Sequence, residues 1–93
     1  MNPKALQNNE ELFLYLIQLA ENLNRCKQAK LSEAILKASR FASGSASEFM
    51  HEAQQALEGV ERVSPKGLSN EELEDIDDVI NQIKKAFKDI GGA

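Results

Sequence analysis

One apolar phase runs without interruption from Leu31 to Val63. Small or apolar residues recur there in steps of three and four: Leu31, Ile35, Ala38, Ala42, Ser45 or Ala46, Phe49, Ala53, Ala56, Val60 and Val63. That spacing is the signature of an amphipathic helix, because 3.6 residues complete a turn and only such steps return to one face. Read as one element, the segment would span ~50 Å at about 1.5 Å per residue. A helix of that length needs covering along its whole apolar side. The flanking segments must therefore be helical too, and they are short.

Both flanks carry helical patterns. From Asn9 to about Gln28, Phe13, Leu16, Ile17, Ala20 and Leu23 form one stripe, and Leu12, Leu14, Tyr15 and Leu19 widen it around most of the girth. Asn8 offers an N-cap with Glu11 three residues on. After Ser64-Pro65-Lys66-Gly67, where Pro65 cannot extend a helix and Gly67 suits a turn, Ser69 and Glu72 form a capping box. Leu73, Ile76, Ile80, Ile83, Phe87 and Ile90 then step by three and four. Acids fill the first turns of this helix and Lys84, Lys85 and Lys88 the last, both favourable to the helix dipole. Gly91-Gly92 closes it. No alternating strand pattern occurs.

The sequence therefore predicts an all-α antiparallel bundle with helices near 9–28, 31–63 and 70–90, the central one long. Met1 to Gln7, with Pro3 and no periodicity, reads as a loose arm on a single domain of residues 1–93. The alternative turns on Ala42-Ser43-Gly44-Ser45-Ala46-Ser47. A stop at Gly44, as a left-handed residue past a helix end, and a restart capped by Ser45 with Glu48 would give four helices. The shared phase on both sides favours the continuous helix, with the serines as small residues at a close helix crossing.

Composition narrows the class of function. Apolar residues at 42% and charged residues at 28% of 93 describe an ordinary globular chain. The longest apolar stretch, Leu12 to Leu23, is interrupted by Gln18, Glu21 and Asn22, too polar for a membrane span. The first residues lack the pattern of a signal peptide, so a cytoplasmic location is expected. A net charge of −4 argues against nucleic acid or an anionic membrane as partner.

Residues able to carry chemistry are few and scattered. His51, the single histidine, falls off the apolar stripe and should be exposed. An exposed histidine on a helical bundle makes phosphotransfer the alternative function. Glu52 follows it, however, and no lysine lies in the next turn. Glu71, Glu74, Asp75 and Asp78 share a helix face, but they lack the alternating ligands and glycine of a calcium loop. Cys26, the single cysteine, has cationic neighbours in Arg25 and Lys27 but no second cysteine. No catalytic residues, metal or cofactor are expected.

What remains is a small non-enzymatic interaction or regulatory module. The broad apolar girth of the first helix exceeds what one neighbour can cover, and exposed apolar patches usually mark interfaces. With the long helix, a homodimer follows, antiparallel through that helix, with a further protein as the target. With a break at Gly44 the chain would instead fold back and cover itself as a monomeric four-helix bundle. The expected dimer interface comprises Leu12, Leu14, Tyr15, Leu19, Ala38, Ala42, Ala46 and Phe49.

Overall fold

The computed structural model of the chain describes residues 9–89. The expected N-terminal arm, the Asn8 cap, Ile90 and the Gly91-Gly92 stop lie outside them. Within the described residues the chain is all-helical: α1 (Asn9–Arg25), α2 (Ala29–Ser39), a 3₁₀ turn (Arg40–Ser43), α3 (Ala46–Val63) and α4 (Asn70–Asp89). These four α-helices pack together, so the class is as expected and the count is not.

The long central helix does not form. The 3₁₀ turn tightens the end of α2, Gly44 follows with φ −105° and ψ −144°, and the Ser45 hydroxyl accepts the Glu48 backbone N–H at 3.4 Å to start α3. The longest dimension of the fold is 37 Å, shorter than the ~50 Å that a continuous segment would need. Gly44 is not left-handed either, so the break belongs to the four-helix alternative but lacks its glycine cap. Ser43, Ser45 and Ser47 lie exposed at this reversal rather than in a helix crossing.

Each helix turns an apolar face to one shared core. On α1 that face is shifted from the expected stripe, since Phe13 and Ile17 are only half-buried while Leu12 and Leu19 are buried. From α1 come Leu12, Leu16, Leu19, Ala20 and Leu23, and from α2 Ile35; Phe49, Ala53, Leu57 and Val60 come from α3, and Ile76, Val79, Ile80 and Ile83 from α4. Folding α3 back along α2 brings Phe49 and Leu57 into a core with α1. At about 25 cal/mol per Å² of apolar area removed from water, a fully buried leucine or phenylalanine contributes roughly 1.5–3 kcal/mol. A straight helix would forfeit several such burials. They outweigh the small cost of opening a helix at Ser-Gly-Ser, residues of poor helical preference.

Three polar or close contacts fix how the helices sit. Buried Ser32 donates its hydroxyl to the Ala20 carbonyl at 2.8 Å, tying α2 to α1. This serine caps no helix start, because α2 begins three residues earlier, at Ala29. Asn22 Nδ2 donates to Glu72 Oε2 at 2.9 Å, joining α1 to α4. At the same end of the bundle the loop before α4 passes directly over the end of α1. A Cβ on Gly67 would lie 2.5 Å from both Cβ and Sγ of Cys26. Pro65 and Leu68 are the buried residues of that loop.

The end of α1 is unusual in its residue choice. The Gln28 N–H reaches the Leu23 carbonyl at 2.9 Å and the Lys27 N–H the Asn24 carbonyl at 3.1 Å. This is the Schellman pattern, and it puts Lys27 at φ 63°, a position where glycine is the usual occupant. Ser64 ends α3 with φ 51°, its N–H bonded to the Val60 carbonyl at 2.9 Å. Ser69 and Glu72 form the expected box on α4, the Glu72 N–H reaching Ser69 Oγ at 3.1 Å.

Two expected outcomes follow from this backbone. Lys27→Gly removes the steric cost of a left-handed side chain and should stabilise the chain by up to about 1 kcal/mol, read by urea unfolding. Gly67→Ala should destabilise by roughly 1–3 kcal/mol, because the loop and the α1 end must move apart. Replacing Cys26 by alanine in that variant should not restore stability, since the clashing Cys26 Cβ remains.

Candidate functional site

The side chains able to do chemistry stand apart from one another. His51 is exposed on α3, and its own helix offers Glu48 and Glu52 in the adjoining positions, with no cation within one turn. Cys26 is half-buried against the core beneath Gly67. Among the described residues no group of three or more His, Cys, Asp and Glu side chains is arranged to hold a metal ion. Two of the α4 acids are engaged in contacts of their own. Glu72 accepts from Asn22 and Ser69, and Asp78 accepts from Gln82 Nε2 at 2.8 Å.

Two electrostatic pairings cross between helices. Tyr15 on α1 lies near Asp75 and Glu72 of α4. Burial foremost, then those two negative charges, raises its hydroxyl pKa well above the ordinary value, so the ring stays neutral. Glu61 on α3 meets Asp77 on α4 carboxyl to carboxyl. Loss of solvation, then the hydrogen bond to Asp77 and the charges of Asp77 and Glu58, raise the Glu61 pKa, with Lys84 opposing. Neither pairing includes a histidine or a cysteine that could complete a catalytic set.

The residues expected at an interface are distributed as follows. Leu12, Leu19, Ala38 and Phe49 are buried within the protomer. Tyr15 and Ala42 are half-buried and pack against that core. Ala46 is exposed at the start of α3. Leu14 is 57% exposed, directly opposite the buried stripe of α1. The reversal at Gly44 thus lets the chain cover much of the apolar girth that a straight central helix would leave for a mate.

What the core leaves outside is a smaller apolar strip across α1 and α2. Ile17 lies one turn from Leu14 and is half-buried. The Ser32–Ala20 bond sets α2 beside α1, and Leu36, one turn beyond Ser32 and 36% exposed, is therefore level with Leu16 and Ile17. The expected interface omits Leu36, since a stripe drawn through a straight helix passes it by. Val63, 56% exposed, is on a different helix, at the end of α3. No helix is long and apolar enough to cross a membrane among the described residues.

Comparison with protein-family models, curated proteins and solved structures returns no match.

The Glu61–Asp77 pair gives a pH-dependent expectation. A carboxyl raised in the folded state adds stability that is full below its unfolded value of 4.5 and is lost as pH rises through the folded value. Glu61→Gln removes that loss. Relative to the parent, the variant should gain stability at pH 7 and little or none below pH 4.5, compared by urea unfolding at the two pH values.

Proposed function

We propose that the chain is a small non-enzymatic helical module that works by protein–protein contact, as a homodimer, with another protein as its target. The observation that supports this reading is Leu14. A leucine 57% exposed, on the face of α1 farthest from the core, keeps apolar area in water, and Ile17 and Leu36 extend it onto a second helix. Isolated apolar residues are common on surfaces, whereas a strip shared by two helices is a surface that a partner can use. An isologous dimer is the commonest way such a strip is covered.

Catalysis has less in its favour. Phosphotransfer through His51 would place a dianionic group beside Glu48 and Glu52, where like charges oppose it. Multi-angle light scattering over about 10–500 μM tests the dimer. The expected result is a mass rising from the 10.3 kDa monomer toward twice that value. A constant monomer mass across the series contradicts the reading.

A further inference from the structure

Resting on the homodimer reading, we infer that the second copy docks on the α1/α2 outer face, related by a twofold axis parallel to those two helices. Such an axis sets α1 of one protomer against α2 of its partner, antiparallel and at unchanged height. The Ser32–Ala20 hydrogen bond fixes those heights. Along antiparallel neighbours, Leu36 is level with Ile17, Lys30 with the Glu21–Asn22 turn, and Arg40 with the turn from Glu10 to Leu14.

One charge pair on this face matches under that rotation. Exposed Glu10 of α1 meets the exposed Arg40 of the other copy. Leu14 and Ile17 meet Leu36 at the centre. Glu33, the exposed acid of α2, has Lys30 and Lys37 one turn away on its own helix to balance it. Every pair occurs twice by symmetry, so one attractive pairing becomes two. A twofold axis perpendicular to the helices would instead stack α1 on α1 and lose this matching.

Size sets the strength. The face is roughly 25 Å long, from 17 residues of α1, and about two helix diameters wide, or ~500 Å² per copy. A total near 1,000 Å² lies at the low end for specific association, so the dimer should be weak and should depend steeply on concentration.

Sedimentation velocity on the full chain, about 10–500 μM, tests the face with two kinds of variant. Leu14→Glu, at an exposed position, should weaken association at least tenfold while leaving the circular dichroism spectrum unchanged. Glu10→Arg and Arg40→Glu should each weaken it a few-fold, and the two together should return it to within about threefold of the parent. A dimer indifferent to Leu14→Glu, or a double reversal no better than either single one, overturns this face and leaves the dimer itself standing. A parent that stays monomeric throughout overturns both.

Discussion

The fold depends on a chain reversal at Ser43-Gly44-Ser45. Everything apolar in α3 is useful only if that helix runs back beside α2, where Phe49, Ala53, Leu57 and Val60 share a core with the stripe of α1. The residues at the reversal do not force the bend through any positive backbone angle, since Gly44 sits at φ −105°. They lower the cost of leaving a helix, and the core supplies the gain. In this balance burial decides and local preference permits, as expected where tertiary packing supplies most of a helix's stability.

Once the chain has turned, a few contacts with defined geometry select one arrangement among the many that an apolar core tolerates. Ser32 reaches the Ala20 carbonyl from within a helix interface, and Asn22 reaches Glu72 across the α1–α4 seam. Gly67 lets the loop before α4 rest on Cys26 at a distance no side chain would allow. The single cysteine thereby acquires a plain structural role in packing. The Glu61–Asp77 pair costs some stability at neutral pH. It also puts charge on the α3–α4 side, away from the apolar strip on α1 and α2.

Sequence periodicity revealed the helical class and the last helix with its Ser69–Glu72 cap, because each rests on local chemistry. It could not separate one long helix from two. Two helices that face the same core each keep a period of 3.6, and here the linking residues happen to preserve the phase between Ala38 and Phe49. The end of α1 was illegible for a different reason: the left-handed position that stops it holds Lys27, where glycine would have announced it. Ser32, of a residue type common at helix caps, serves as a buried cross-link that only the packing of α2 on α1 reveals. Of the interface expected from the sequence, Leu12, Leu19, Ala38 and Phe49 are in the protomer core, while Leu14 lies on the outside. Leu36 escaped notice because it lies off the stripe through Leu31, Ile35 and Ala38.

The reversal itself can be measured as a distance. Lys30 and Arg62 are both exposed, one near the start of α2 and the other near the end of α3. Spin labels at these positions, in a Cys26→Ala background diluted with unlabelled chain, report their separation by pulsed electron resonance. Antiparallel neighbours with axes ~10 Å apart should give a separation on the order of 20 Å between labels. A distribution centred near ~48 Å, the rise of one helix at about 1.5 Å per residue from 30 to 62, would contradict the fold described.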